Sequence, residues 1–232
     1  MLTAHTETLA EGATPPVEGA SRANRSPEEL EMRAALIPWG RARWPGARVL
    51  EELSVGGCRV DLAFVQTNHI AAVEIKSSRD TLDRLTRQIE DFSGAIPEIW
   101  VATAPKWIGP LHDREHQGYV NLPWAVGHVV VEAGVVSERI KYAHWEMPHS
   151  ATVDEILTAP MLHLCHRAEL MAIAAAKGLT HKPRAPRRDL MRLLARGLTG
   201  DEIVAGACEQ LRARVRGWPG DEPLNATERS DG

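Results

Sequence analysis

The sequence predicts an α/β chain: a helix, three strands, a second helix, a fourth strand and a hairpin, followed by an α-helical appendage. Three observations carry this. Residues alternate with period two in CRVDLAFV (58–65), which lies between two further strand-like segments. The spacing becomes helical from Asp80 to Phe92. Beyond about residue 150, helix caps and leucine stripes replace strand patterns.

Taken in order, residues 1–25 are rich in Thr, Ala, Gly, Glu and Pro without hydrophobic periodicity, which predicts a disordered arm. Ser26-Pro27-Glu28-Glu29 is a capping box with proline at the first helical position, and Pro38 predicts a stop near Ile37. ARVLEEL (47–53) reads as a strand, and Gly56-Gly57 as a turn. CRVDLAFV (58–65) alternates, placing Cys58, Val60, Leu62 and Phe64 on one face and Arg59, Asp61, Ala63 and Val65 on the other. HIAAVEIK (69–76) is a third strand. Leu82, Leu85, Ile89 and Phe92 then form one stripe of a helix, and EIWVAT (98–103) is a fourth strand. GHVVVEAGVVSERI (127–140) predicts two strands around Ala133-Gly134. In the appendage, helices are expected at 161–177, at about 187–196, and from the Thr199–Glu202 capping box to about Arg216. The expected organisation is an arm (1–25), a core (26–148), a helical appendage with a basic face (150–218) and a disordered tail (219–232).

Composition narrows the function classes. Hydrophobic residues make up 44% and charged residues 25% of the 232, as in globular proteins. No apolar run approaches the ~18–20 residues of a membrane helix, and the first residues lack a secretory signal. Three cysteines without a CxxC pair argue against a disulfide scaffold or a cysteine zinc site, and suit a reducing cytoplasm. The net charge of −4 is uneven: from Lys177 to Arg216 ten Lys/Arg face four Asp/Glu, a local +6, leaving −10 elsewhere.

The sharpest constellation is Asp61 on the second strand with Glu74-Ile75-Lys76 on the third. In HIAAVEIK, Ala72, Glu74 and Lys76 share one face and Ala71, Val73 and Ile75 the other. A carboxylate and an amine on an apolar strand are costly to bury unless paired or metal-bound. An isolated Glu-x-Lys is commonly a Glu–Lys ladder on a half-exposed sheet. Asp61 on the neighbouring strand changes the weighing, because two carboxylates and one ammonium can then converge, and oxygen ligands suit Mg²⁺ or Mn²⁺.

Asp61…Glu74-x-Lys76 resembles the PD-(D/E)XK nuclease superfamily, from about Ser26 to Thr103. Val60 stands where the motif has proline. The longer string 73–103 resembles a bacterial and phage branch in which a Ser-x-x-Asp-Thr-Leu-type helix start follows the lysine and the C-terminal half is helical. The resemblance implies a restriction-endonuclease-like core and a Mg²⁺- or Mn²⁺-dependent deoxyribonuclease. Asp61 and Glu74 would be metal ligands with the Ile75 carbonyl, and Lys76 would position or help deprotonate the attacking water.

The resemblance also points to Glu31, since superfamily members often supply a first-helix glutamate. On a helical wheel Glu31 lies within a broad apolar arc, with Glu29 and Arg33 marking the solvent face and Glu28 in reserve. Gln88-x-x-x-Phe92 is similar to a Gln-x-x-x-Tyr element of RecB-like nucleases, in which the amide holds the site or the phosphate. Arg84 lies one turn before Gln88. Otherwise Gln88 is a solvated helix residue.

Glu51 and Glu52 read as solvated edge charges, one of which could approach the metal. Ser77 and Ser78 read as helix-entry residues, His163-x-x-His166 as helix-surface histidines, and His112 and His116 as members of a polar loop. The tryptophans read as packing residues. Arg188, Arg192 and Arg196 recur every four residues opposite Leu190, Leu193 and Leu194, a stripe that either clamps DNA phosphates or is a solvated face. DNA is the expected partner and no membrane is. A homodimer stays open, since duplex cutters with one site per chain often pair. The alternative to an enzyme is a non-catalytic nucleic-acid-binding or protein-interaction module on the same core.

Overall fold

The structure, a computed structural model, describes residues 25–108, 126–140 and 160–215. The expected arm (apart from Arg25), the tail, His112 and His116 lie outside them.

Helix α1 spans Pro27–Arg43, with the Ser26 hydroxyl accepting from the Glu29 N–H at 3.1 Å. It does not stop at Pro38. Ala34, whose carbonyl loses its donor there, and Pro38 itself both lie on the exposed side, where water can replace the missing bond. Beyond Pro38, the burial of Gly40 and Trp44 draws the chain on.

Strands β1 (Arg48–Val55), β2 (Cys58–Val65) and β3 (Ile70–Lys76) follow, then helix α2 (Leu85–Ser93), β4 (Glu98–Thr103), β5 (Val126–Glu132) and β6 (Val135–Ile140). Among the described residues these six strands form one mixed sheet in chain order. β3 and β4 are parallel, as are β4 and β5, while the other neighbours are antiparallel. Ala133 and Gly134 both adopt left-handed backbone (φ 48° and 76°), which makes the tight turn between β5 and β6.

Each face of the sheet has its own core. Met32, Leu36 and Ile37 of α1 pack on Leu62, Phe64, Val73, Ile75 and Trp100. Gly40 lets this helix approach closely, since a Cβ there would lie 2.2 Å from the Phe64 ring. On the other face Leu85, Ile89 and Phe92 of α2 pack on Ala63, Val65, Ala72 and Val101. Here α2 begins at Leu85 rather than Asp80. The Asp80 carboxylate instead accepts from the Ser77 N–H and hydroxyl at 2.8 and 2.6 Å, which closes a turn after β3.

The C-terminal helices are α3 (Arg167–Ala176), α4 (Arg187–Gly197) and α5 (Gly200–Arg212). α3 starts later than the sequence suggests because Leu162–Leu164 forms a separate 3₁₀ turn. The Thr199–Glu202 capping box forms as expected. Leu170, Ile173, Leu190, Leu194, Ile203 and Ala207 make a third core, whereas Met161, Leu164, Cys208 and Leu211 join the α2-side core of the sheet. The helical segment is thus built onto the sheet, and Arg48 of β1 also donates to the Arg214 carbonyl at 2.6 Å.

The alternation expected along β2 fails at Asp61. Val60 packs with Ala63 and Val65 on the α2 side, while Leu62 and Phe64 face α1. Opposite this point Glu52 has left-handed backbone (φ 55°), and the β1–β2 register skips the Glu52–Asp61 pair. A half-turn in both strands therefore sits at the candidate aspartate. Left-handed backbone in a non-glycine residue costs on the order of 1–3 kcal/mol and tends to occur at functional sites.

Candidate active site

β3 is buried along its whole length, including Glu74 and Lys76, which are 2% and 6% exposed. Both lie on the α2 side, so a polar partner must come from that helix. Gln88 supplies it. Its Nε2 donates to Glu74 Oε1 at 2.6 Å, and its Oε1 accepts from Lys76 Nζ at 2.9 Å. Lys76 Nζ also donates to Glu74 Oε1 at 2.8 Å. Glu74, Lys76 and Gln88 thus form a closed triangle, and Gln88 is not a solvated helix residue. Phe92, one turn later, is fully buried and anchors that helix face.

Asp61 reaches the same region across the gap where β2 and β3 part. The last paired residues are Leu62 and Val73, and beyond them Asp61 Oδ2 accepts the Ile75 N–H at 2.8 Å. Its other oxygen meets the Arg33 guanidinium at 2.6 Å.

Arg33 corrects the sequence reading. It is fully buried rather than on the solvent face, and it donates to the Asp61 carbonyl at 2.8 Å and to Glu29 at 3.0 Å. Glu31, by contrast, is exposed and lines a separate recess with Glu28, Met32, Pro105 and the Val131–Gly134 turn. The wheel erred because it counted Leu30 and Ala34 as apolar markers. Leu30 is 48% exposed, and the true buried stripe is Met32, Leu36, Ile37 and Gly40 with Arg33 among them. Glu28 instead accepts from Ser78, on the exit from β3.

Glu51 and Glu52 are likewise not solvated edge charges. Arg25 pairs with them at 2.6 and 2.9 Å, and Arg33 approaches Glu52 at 3.3 Å. Arg25 therefore belongs to the folded core rather than to the arm. The sequence did carry a signal for this network in the four-residue spacing of Arg25, Glu29 and Arg33.

Electrostatics around the two carboxylates are tense. Burial pushes Glu74 up to about 8, and the Asp61 charge adds to this against the pull of Lys76 and Gln88. Burial also raises Asp61, opposed by Arg33 and the Ile75 N–H. Glu74 Oε2 is buried with no hydrogen-bond partner. Around Asp61, three guanidiniums (Arg25, Arg33 and, at 3.8 Å from Glu52, Arg59) face the four carboxylates of Glu29, Glu51, Glu52 and Asp61 itself. An orphaned carboxylate oxygen beside a second carboxylate suits a hard divalent cation. Among the described residues no three acidic, His or Cys side chains are gathered around one point. Two carboxylates with water completing the shell is nonetheless a common arrangement for Mg²⁺.

The remaining expected residues are spread more widely. Arg84 is exposed and precedes α2 by one residue. Arg188, Arg192 and Arg196 are exposed along α4. His163 and His166 sit in the 3₁₀ turn and at the cap of α3, both exposed. Trp39, Trp44 and Trp100 pack edge to face with centroids 5.2–6.4 Å apart in the α1-side core.

Comparison with known proteins gives a narrow result. The family model of bacteriophage P4 protein cII matches residues 22–128, just under half of the chain, a stretch containing Asp61, Glu74, Lys76 and Gln88. No curated protein matches. Among solved structures, the SPO1766 protein of unknown function from Silicibacter pomeroyi is similar with a TM-score of 0.40 and 16% identity, covering 70% of this chain and 99% of that one. The fold is mixed α/β, with a six-stranded sheet among the described residues. Among the described residues no helix is long and apolar enough to cross a membrane.

Proposed function

We propose that the chain is a Mg²⁺- or Mn²⁺-dependent nuclease that hydrolyses DNA phosphodiester bonds on a restriction-endonuclease-like core. The observation that carries the reading is the convergence of Asp61, Glu74, Lys76 and Gln88 where β2 and β3 part, with Glu74 Oε2 buried and unpartnered. The order helix, three strands, helix, strand supports the PD-(D/E)XK resemblance.

In this reading Asp61, Glu74 and the Ile75 carbonyl would hold the cation. When bound, it would lower the pKa of a water and offset charge on the phosphate. Lys76, fixed by Glu74 and Gln88, presents a positive charge to the attacking water and to the developing oxyanion. Gln88 keeps that amine in place. Arg33 locks the Asp61 rotamer. Exposed Arg84 and the Arg188/Arg192/Arg196 face would contact backbone phosphates, which position DNA without reading its sequence.

One observation favours a second reading, a non-catalytic nucleic-acid-binding or protein-interaction module. Arg33 already places a cation on Asp61, which is the work a metal would do. Cleavage of plasmid and linear DNA with Mn²⁺, beside Lys76→Ala, separates the two. The nuclease reading expects cutting by wild type and none by the variant. Equal nicking by both, or by neither, removes it.

A further inference from the structure

On the helical segment, α4 and the Leu162–Leu164 turn enclose a groove of about 550 Å³. Leu162, Met191 and Ala195 give it an apolar floor, and His163, Arg187, Arg188 and Arg192 line the rest, with no carboxylate among the lining residues. Arg187 is committed to the wall, donating to the carbonyls of Cys165 and His163 at 3.1 and 2.7 Å. Arg188 and Arg192 are not so committed. Their side chains are 78% and 61% exposed and come no closer than 3.9 and 4.0 Å to Asp189.

We propose that this groove binds an unpaired nucleotide of single-stranded DNA, with the base on the apolar floor and the flanking phosphates on Arg188 and Arg192. The ligand must be anionic and must carry an apolar surface beside its charge, because cations rim an apolar concavity. A duplex presents phosphates with its bases stacked away, so it can meet the rim but cannot fill the floor. A single strand offers both at adjacent positions. The chain's net charge of −4 opposes general adhesion to anionic membranes, and it is this local patch that is cationic. The choice of DNA rests on the nuclease reading, whereas the groove's chemistry does not. Arg196 is absent from the lining, so the stripe divides into two groove residues and one outside it.

The test uses full-length protein carrying Lys76→Ala, in EDTA, with fluorescence anisotropy on a labelled thymidine 15-mer, the same 15-mer with abasic sites, a 15-bp duplex, phosphatidylserine vesicles and an acidic leucine-containing peptide. The thymidine strand should bind about tenfold more tightly than its abasic counterpart, from the apolar base surface buried on Leu162, Met191 and Ala195. R188Q/R192Q should reduce the salt slope by about 1.4, from ~0.7 per lost phosphate contact on single strands. R196Q should change it less. Met191→Gln, which makes the floor polar at nearly constant size, should remove the preference for thymidine over abasic strand. Equal binding of thymidine and abasic strands, or tighter binding of vesicles or peptide, overturns the proposal. A protein that passes these tests yet never cleaves DNA would sink the nuclease reading and leave the groove standing.

Discussion

Arg33 of α1 donates to the main-chain oxygen of Asp61 at 2.8 Å and to its carboxylate at 2.6 Å. One guanidinium thus fills the gap that the missing Glu52–Asp61 pair leaves in the β1–β2 ladder.

Breaking that relationship should be expensive. Arg33→Met leaves Asp61 without its buried counter-charge, while Glu52 keeps Arg25, and such losses typically cost about 3–5 kcal/mol. Urea unfolding should show that loss. Adding Asp61→Asn should restore part of it, because the uncompensated charge is then gone. Additive losses in the double variant would contradict the pairing.

The raised Glu74 carboxyl makes stability depend on pH. Unfolded, this group loses its proton near 4.5; folded, it keeps it to about 8. The folded state therefore binds the extra proton between those values, so its contribution is full below about 4.5 and is lost as pH rises through about 8. Melting temperature should fall across that window in wild type, and Glu74→Gln should flatten the slope. Matching slopes would refute the assignment. In the proposed reading the deprotonated form would be the metal ligand, so Mn²⁺ affinity should rise over the same range.

Gln88 links Lys76 to Glu74, and Gln88→Leu would leave Lys76 Nζ short of an acceptor in a buried site. A loss of about 1–3 kcal/mol is expected, with cleavage reduced at saturating DNA. A variant as stable and as active as wild type would show that the amide holds nothing.

Gly40→Ala tests how closely α1 lies on the sheet. Its Cβ would meet the Phe64 ring at 2.2 Å, a contact that requires the helix to shift. Overpacking of this kind costs about 1–3 kcal/mol, whereas Gly134, whose position is open, should tolerate a side chain with strain from its positive φ alone.

The strand order and the appendage caps were legible because period-two runs, the Ala133-Gly134 turn and the Thr199–Glu202 box are local signals. Glu74 and Lys76 were legible because polar residues on an apolar strand need partners, whereas Gln88 was pointed to by a resemblance alone and its residue pattern suited a solvated face equally. Arg33 and Glu31 were misplaced for a different reason. Their orientation depends on which stripe of α1 the sheet accepts, and the four-residue spacing of Glu29 and Arg33 marks an ion pair without revealing that acids from β1 and β2 bury the arginine. The flip at Asp61 was hidden for the same reason: it follows from the left-handed Glu52 on the opposite strand.

Calorimetric titration of Mn²⁺ into wild type, Asp61→Ala and Glu74→Ala at pH 8 measures the centre itself. A binding heat is expected in wild type and should be lost or strongly weakened in both variants, while each stays folded by circular dichroism. No heat in wild type, or unaltered affinity in both variants, would contradict the metal assignment.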